Sequence, residues 1–343
     1  MTIQTFPLIE VSGTSYEMGY QHGAQVTDLV KQYLLWIEKL AGQPLPEMVR
    51  MARAFLPALQ DLSPALLEEI RGLADGAGIS FDEALLCQVR SEVSEAAVSG
   101  CTAFALTGSA TADGLPLAGQ NQDLEPEYAE LAILLRVKPN DGRPRALMFT
   151  FAGQLGYAGM NEAGLAHFHN ALYNYRWQPD LPRQSLKRVL LEKRSVAECL
   201  SFLKEQRLGS AANIVLCDNQ GHIADVELRP EGNALVEDEH PDSVVHTNHH
   251  LSPQFTGYEG HSVPDSRPRL DRIRQLIKAQ WGQITVESLK TILADHAGDP
   301  GGICRHGARG WHSISGYIAE PAKRLLHVRR GHGCTGYWQT YTV

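Results

Sequence analysis

The sequence predicts a layered α+β fold, and three observations lead to this prediction. Residues 22–95 repeat apolar side chains at helical spacing and contain no convincing strand. From Cys101 onward, short strand-like stretches are joined by turn residues, as in antiparallel hairpins. Further helices recur at about 185–206, 266–280 and 285–296. Because hairpin-joined strands run antiparallel, a parallel doubly wound sheet is excluded, and helices are expected to cover antiparallel sheets.

The leader helices are predicted from an apolar face and from capping residues. The cap signals are Ser63 with Pro64 at the first helical position, and Ser80 with Glu83 as a capping box. The apolar face of the first long helix consists of Val26, Leu29, Val30, Tyr33, Ile37 and Leu40.

The strands after Cys101 are predicted as pairs with a turn between them. The pairs are CTAFALTG with LPLAGQNQD, LAILLRVKP with RALMFTFAG, and the two halves of ANIVLCDNQGHIADVEL; GMNEAGLAHFHNALY adds a turn and a strand, and the tail from Ile314 to Val343 alternates like strands.

Composition and charge exclude several kinds of partner. The chain has 343 residues with 43% hydrophobic and 20% charged residues, which is ordinary for a globular protein. A net charge of −8 without a basic cluster argues against binding to nucleic acid or an anionic membrane. The N-terminal stretch has neither the basic start nor the apolar core of a signal peptide, and no apolar run is long enough to span a membrane. We therefore expect a cytoplasmic protein whose six cysteines are reduced.

Cys101 stands directly after a glycine at the head of a predicted strand, with no histidine nearby in the sequence to act as its base. One hypothesis supplies the base by cutting the chain. The thiolate would attack the carbonyl of Gly100, the acyl group would move from nitrogen to sulfur, and water would release it. The freed α-amino group of Cys101 would have a pKa of about 7.7–8.0 in a model peptide, which suits general acid–base catalysis.

At these residues the sequence resembles the N-terminal-nucleophile cysteine hydrolases, specifically the isopenicillin-N acyltransferase family of self-cleaving amidases. GCT followed by GQNQD is similar to that family's nucleophile and its G-[RQ]-N-x-D strand. The resemblance continues in the same order over nearly the whole chain, through GTSYEMGYQHG, VRSE, GMNEAGLAHFHNAL, HTNHHL and ICRHGARG.

The resemblance implies an αββα sandwich of two antiparallel sheets between helical layers, preceded by a helical leader. It implies a cut between Gly100 and Cys101, giving an α chain of residues 1–100 and a β chain of residues 101–343 that stay associated. The implied substrate is a small-molecule amide or an acyl-CoA, and we expect neither a cofactor nor a metal.

The resemblance also assigns roles to individual residues. The motifs match Cys101 to the nucleophile, Asp123 to the residue that orients its amino group, and Asn170 to an oxyanion-hole asparagine. They match Asn248 to a second active-site asparagine and Arg309 to a catalytic arginine.

Two positions differ from the member of this family that acts on penicillins. Ala308 stands where a serine precedes the arginine there, and Gln122 stands in place of an aromatic residue. Specificity for penicillins is therefore not carried over.

The register of the first hairpin tests whether Asp123 lies near the thiol. A two-residue turn at Asp113-Gly114 would pair Asp123 with Phe104 and put it on the face opposite Cys101. A three-residue loop ending at Gly114 would pair it with Ala103, on the same face as Cys101. The functional hypothesis needs the second register or a bulge.

Three functions remain open from the sequence. The first is hydrolysis of a non-peptide amide through a thioester acyl-enzyme on Cys101. The second is transfer of the acyl group from acyl-CoA or an amide to an amine, and the third is an uncleaved binding protein without catalysis. A zinc site at HTNHH, a thiol–histidine pair of Cys304 with His306, and a purely structural Cys101 are weaker alternatives.

Overall fold

The structure is a computed structural model that describes residues 5–93, 100–173, 177–257, 263–306 and 311–343. Its helices are α1 (Ser15–Gln25), α2 (Thr27–Ala41), α3 (Leu45–Ala52), α4 (Leu56–Leu62), α5 (Pro64–Ala77), α6 (Phe81–Val93), α7 (Tyr128–Leu131), α8 (Arg183–Leu190), α9 (Val196–Lys204), α10 (Ser266–Ala279) and α11 (Val286–Ile292). None of these helices is long and apolar enough to cross a membrane.

The strands form two sheets. They are β1 (Leu8–Gly13), β2 (Gly100–Leu106), β3 (Leu117–Leu124), β4 (Ala132–Pro139), β5 (Ala146–Phe151), β6 (Ala158–Asn161), β7 (Ala166–Ala171), β8 (Ala212–Cys217), β9 (Ile223–Arg229), β10 (Gly232–Leu235), β11 (Ser243–His246), β12 (His312–Glu320), β13 (Leu325–Arg330) and β14 (Tyr337–Thr342). One sheet has the order β1-β4-β5-β6-β7-β8-β9-β10, and the other has the order β11-β2-β3-β12-β13-β14.

The two sheets stack face to face between helical layers, which confirms the predicted αββα sandwich. Phe104 of β2 points away from the other sheet and packs with Leu270 of α10. On the opposite side, Ile214 of β8 packs with Leu186 of α8. The alternate residues of the same strands, such as Ala103, belong to the core between the sheets, because successive side chains of a strand point to opposite faces.

The hairpins β4–β5 and β8–β9 lie where the sequence predicted them, and α10 and α11 match the two helices expected after residue 266. Two features differ from expectation. The leader contributes a strand, β1, because Leu8–Gly13 alternates exposed and buried residues over a stretch too short to stand out in the sequence. That strand pairs in parallel with β4, so the eight-stranded sheet is not wholly antiparallel.

Both registers considered for the first hairpin are wrong. Strand β3 pairs with β2 so that Asp123 lies across from Gly100 and Gln122 across from Cys101. The connection is not a tight turn at Asp113-Gly114, because a 3₁₀ turn at Gly108–Ala110 and a bridge from Thr111 to Ile284 lengthen it. Asp123 therefore points to the face opposite the side chain of Cys101.

Helices α1 and α5 of the leader cross at glycines. A Cβ atom on Gly72 would lie 2.0 Å from the backbone oxygen of Tyr16, and one on Gly19 would lie 1.9 Å from that of Glu69. Both neighbours are backbone atoms and cannot rotate away, so the crossing requires residues without a side chain.

We expect Gly72→Ala to lower the free energy of unfolding by about 1–3 kcal/mol or more, because the added methyl group forces the two helices apart. Chemical denaturation followed by circular dichroism measures the change. Glu68→Ala on the exposed face of α5 is the control and should change stability by less than about 0.5 kcal/mol. Equal stability of Gly72→Ala and the control would contradict the close crossing.

Candidate active site

The Cys101 side chain is buried between the two sheets near the head of β2, with 1% of the residue exposed. Strand β2 lies inside its sheet, between β11 and β3, so its backbone is fixed on both sides. The Nε2 of Gln122, directly across on β3, donates a hydrogen bond to the Cys101 Sγ at 3.2 Å. The position at which this chain departs from the family's aromatic residue thus supplies a donor to the thiol.

Burial and Asp123 raise the pKa of the Cys101 thiol above its ordinary value. Arg269, the backbone amide of Ala171 and Lys187 act in the opposite direction. The net effect is a raised thiol pKa, so the thiol stays protonated near neutral pH in the uncut chain. A base is therefore needed before the thiol can act as a nucleophile.

The backbone nitrogen of Cys101 has a dedicated partner in Asn248. It donates to the Oδ1 of Asn248 at 2.8 Å. The same oxygen accepts from Arg269 at 2.8 Å, and the Nδ2 of Asn248 donates to the carbonyl of Ala171 at 3.0 Å. These contacts fix the orientation of the amide, so that its oxygen faces the nitrogen of the candidate nucleophile.

Asp123 lies beside Gly100, the other residue of the Gly100–Cys101 peptide, which is the candidate bond for self-cleavage. A Cβ atom on Gly100 would lie 2.9 Å from the Oδ2 of Asp123, so the carboxylate stands directly beside this glycine. The Oδ1 accepts from the hydroxyl of Ser313 at 2.6 Å, and the Nε of Arg305 lies 3.5 Å from the Oδ2. The register places Asp123 away from the thiol but next to the Gly100–Cys101 peptide.

Burial raises the pKa of Asp123, while Arg305, Arg269 and the Ser313 hydroxyl oppose the rise. Arg305 also forms an ion pair with Asp265, which lies 3.2 Å from Arg269. Arg269 completes the chain of charges by donating to the carbonyl oxygen of Cys101 at 2.6 Å. Two carboxylates and two guanidinium groups therefore alternate behind the candidate bond.

Asn170 lies at the end of β7 and lines the same cavity as Cys101. Its Nδ2 donates to the carbonyl of His246 at 3.2 Å, and its buried Oδ1 has no hydrogen-bond partner in the part of the chain that is described. The structure thus brings Cys101, Asp123, Asn170 and Asn248 together. Arg309 and Ala308 lie outside the described residues.

The cavity beside Cys101 is small and lined by cations. Its volume is about 30 Å³. Lys187 and Arg183 of α8 line it together with Arg90. The Nζ of Lys187 bonds to Gln184 at 3.2 Å and lies 5.0 Å from the ring centre of Tyr157. Burial, then the charge of Arg183, holds the pKa of Lys187 well below its usual range.

Sequence reasoning missed several of these residues. Arg305 belongs to the ICRHGARG stretch, in which only Arg309 was predicted as a site residue, and that prediction is not tested because Arg309 lies outside the described residues. Arg269 and Lys187 lie on helices without a motif, and nothing in the sequence marks them. Gln122 was noticed only as a departure from the family pattern.

The HTNHH stretch binds carboxylate and hydroxyl groups. The Nε2 of His246 lies 3.0 Å from Glu227, and the Nδ1 of His249 lies 2.7 Å from the hydroxyl of Ser266. Although burial opposes the charged form, Asp225 and Glu227 raise the pKa of His246 to about 9. Cys304 and His306 belong to a different cluster, with His296 and Cys334.

Known proteins resemble this chain in sequence and in fold. The acyl-coenzyme A:6-aminopenicillanic-acid-acyltransferase 40 kDa form of Emericella nidulans is 28% identical over 306 residues, covering 87% of this chain and 84% of the relative. A beta-alanyl-dopamine/carcinine hydrolase of Drosophila melanogaster is 24% identical over 234 residues, covering 61% of this chain and 59% of the relative.

A crystal structure of a mutant conjugated bile acid hydrolase from Clostridium perfringens is similar in fold, with a TM-score of 0.50 and 15% identity. The similarity covers 71% of this chain and 97% of that one. At this identity the likeness concerns the fold, which is that of the N-terminal-nucleophile hydrolases.

The sequence model of the acyl-coenzyme A:6-aminopenicillanic acid acyl-transferase family matches residues 109–327, which is more than half of the chain. The match begins after Cys101, so it establishes the family without identifying the nucleophile. The chain is an enzyme of the acyl-coenzyme A:6-aminopenicillanic acid acyl-transferase family, built on the fold of the N-terminal-nucleophile amidases and acyltransferases.

Proposed function

We propose that the chain cuts itself between Gly100 and Cys101 and then hydrolyses a non-peptide amide through the thiolate of the new N-terminal cysteine. One observation carries the proposal: a polar side chain stands against each of the two residues of the candidate bond. Asn248 accepts from the Cys101 nitrogen, and the carboxylate of Asp123 stands beside Gly100. A structural cysteine would also need an acceptor for its buried N–H, but it would not need a carboxylate beside the preceding residue.

The cut itself proceeds in two steps. The thiol of Cys101 loses its proton, and the sulfur bonds to the carbonyl carbon of Gly100 while the carbon–nitrogen bond breaks and the nitrogen takes up a proton. Water then hydrolyses the resulting thioester, which leaves a carboxylate on Gly100 and a free thiol and amine on Cys101. In the uncut chain the nitrogen is an amide and accepts no proton, so another group must take the first one. Lys187 lines the same cavity, and burial holds its pKa well below its usual range, so it is suited to this.

Cutting also explains how a substrate would enter. The cavity beside Cys101 has a volume of about 30 Å³ in the uncut chain, which is far below the roughly 300–1,000 Å³ of typical small-molecule sites. Gly100 occupies the first position of β2, next to the thiol, until the bond is broken. Its departure would open the site at the nucleophile, so that the uncut chain is an inactive precursor.

In turnover, the α-amine of Cys101 would take the thiol proton, and the thiolate would attack the substrate amide. Asn248 would hold the amine and Asp123 would orient it. Asn170, beside the thiol in the cavity, would stabilise the oxyanion, and Arg309 is assigned a catalytic role by its motif. The acyl group would then pass from sulfur to water.

Acyl transfer to an amine is the second candidate. The thioester intermediate is the same, and the acceptor is decided by how far water is excluded. The Emericella relative is named an acyltransferase and the Drosophila relative a hydrolase, which correspond to the two fates of this intermediate. An assay of acyl-CoA and amide substrates, with and without added amines, separates them.

The two chains would stay associated after the cut. Strand β1 of the leader pairs with β4, and leader side chains such as Tyr33 and Phe55 are buried in the core that also contains residues of both sheets. We place residues 1–100 in the α chain and residues 101–343 in the β chain. We also place the enzyme in the cytoplasm, in keeping with six cysteines that are free thiols.

Purified wild-type protein should separate on a denaturing gel into the two chains, with the intact mass of residues 101–343 for the larger. Cys101→Ala should remain a single chain because it lacks the attacking sulfur. Cys199→Ala, another buried cysteine, is the control and should be cut. Full amidase activity from a wild-type protein that stays uncut would contradict the proposal.

The role of the amine can be tested without altering the thiol. Residues 101–343 co-expressed with residues 1–100 should be active once the initiator methionine is removed. The same protein with one alanine left before Cys101 should be nearly inactive, and intact mass verifies each N-terminus. Equal activity would contradict the amine as base. A neighbouring side chain would then take that role, and Lys187→Met would show whether it is Lys187.

Asp123→Asn should slow cutting by about one to two decades, since a lost charged hydrogen bond costs roughly 1.5–3 kcal/mol. Arg305 retains Asp265 as an ion-pair partner, so the fold should survive. The rate is measured from gels after dilution out of denaturant, with the exposed Asp113→Asn as the control. Wild-type cutting and turnover in a folded Asp123→Asn would remove Asp123 from the mechanism.

Asn248→Ala should lower turnover of the cut enzyme by about tenfold or more, because the amine loses its acceptor and the thiol loses its aligned base. Asn140→Ala, at an exposed turn, is the matched control. To separate turnover from cutting, both changes are made in the protein that begins at Cys101. Unchanged turnover in Asn248→Ala would show that this amide does not hold the nucleophile.

A further inference from the structure

Four side chains with metal-binding atoms converge near the start of β12, at a place that the proposed chemistry does not use. Their ligand atoms all lie within 4.8 Å of one another. We call them the Cys₂His₂ cluster: His296, Cys304, His306 and Cys334.

Three separate segments supply the cluster. His296 follows α11, Cys304 and His306 precede β12, and Cys334 lies in the connection between β13 and β14. The backbone amide of Cys304 donates to the carbonyl of Asp295 at 2.9 Å, which sets the first two segments side by side. The convergence is therefore a product of the fold and not of one local turn.

The ligand atoms of the cluster lie close together. The Nε2 of His296 and the Nε2 of His306 lie 2.6 Å apart, and the Sγ of Cys334 lies 3.5 Å from the Nε2 of His306. In a tetrahedral zinc site with Zn–N near 2.0 Å and Zn–S near 2.3 Å, ligand atoms are about 3.3–3.8 Å apart. The two imidazole nitrogens lie closer together than this, and a cation between them would hold them at about the tetrahedral distance.

We propose that the Cys₂His₂ cluster binds one Zn²⁺ ion as a structural site. Two thiolates and two imidazoles are a donor set that zinc favours and that magnesium and calcium do not. Four protein ligands close the coordination sphere, which leaves no position for a water nucleophile and makes the site structural.

The position of the site gives it a consequence for the active centre. Arg305, the ion-pair partner of Asp123, stands between the ligands Cys304 and His306. The zinc ion would tie this segment to the β13–β14 connection and hold the guanidinium in place behind the Gly100–Cys101 bond. The site is independent of the proposed function, because a metal can be bound whether or not the chain cuts itself.

The metal content of the protein tests the proposal directly. Full-length protein expressed in zinc-supplemented medium, purified with a reductant and dialysed against metal-free buffer should contain about one zinc per chain by plasma mass spectrometry. Cys334→Ser, at an exposed position, should lower the zinc content at least about tenfold. His306→Ala should do the same, since neither serine nor alanine replaces a thiolate or imidazole ligand of a tetrahedral zinc site. Cys199→Ala and His222→Ala, outside the cluster, should keep the metal, and circular dichroism verifies that each variant is folded.

Cobalt provides a second readout that needs no variant. Protein exchanged into Co²⁺ should show a thiolate-to-cobalt charge-transfer band and the strong visible bands of a tetrahedral ion. Substoichiometric zinc in the wild type, or equal zinc in a folded Cys334→Ser, would overturn the proposal. An intact mass lighter by two hydrogens, with Cys304 and Cys334 linked in a peptide map, would show a disulfide in place of the zinc site and would also overturn the proposal.

Discussion

The pairing of β2 with β3 is the constraint on which the rest of the site depends. It places Gln122 across from Cys101 and Asp123 across from Gly100, so that one strand supplies partners to both residues of a single peptide. Because side chains alternate along a strand, Gln122 and Asp123 point to opposite faces of the sheet. The thiol faces the cavity between the sheets, and the carboxylate faces the helical layer. A slip of one residue would exchange the two faces and leave neither group with its partner.

Helix α10 and the segments that precede α10 and β12 supply the charges that this arrangement needs. A single buried carboxylate beside Gly100 would be unfavourable, because removing an ion from water costs far more than one hydrogen bond returns. Arg305 and Arg269 offset the charges of Asp123 and Asp265, and the alternating row ends on the Cys101 carbonyl. Helix α10 thus positions the backbone of the nucleophile from the face opposite its sulfur.

The sequence predicted the parts of the protein that depend on local patterns. Apolar periodicity and cap residues located the helices, and turn residues located most hairpins. The motif resemblance singled out Cys101, Asp123, Asn170 and Asn248, which the fold places near one another, while their roles stay predictions. Prediction from the sequence failed where contact with a distant segment determines the local structure. The β2–β3 connection is lengthened by contact with Ile284, which no local turn rule includes. Arg269 and Lys187 acquire their places through helix packing, and the Cys₂His₂ cluster forms only when three segments meet.

The contacts around Cys101 also suit the nitrogen after the proposed cut. As an amide, the nitrogen donates to the Oδ1 of Asn248, and an amine has hydrogens for the same bond, so the acceptor need not move. An amine that took the proton from sulfur would thus be held by the same acceptor that holds the peptide nitrogen before the cut. One arrangement of Asn248 therefore suits both the precursor and the proposed cut enzyme.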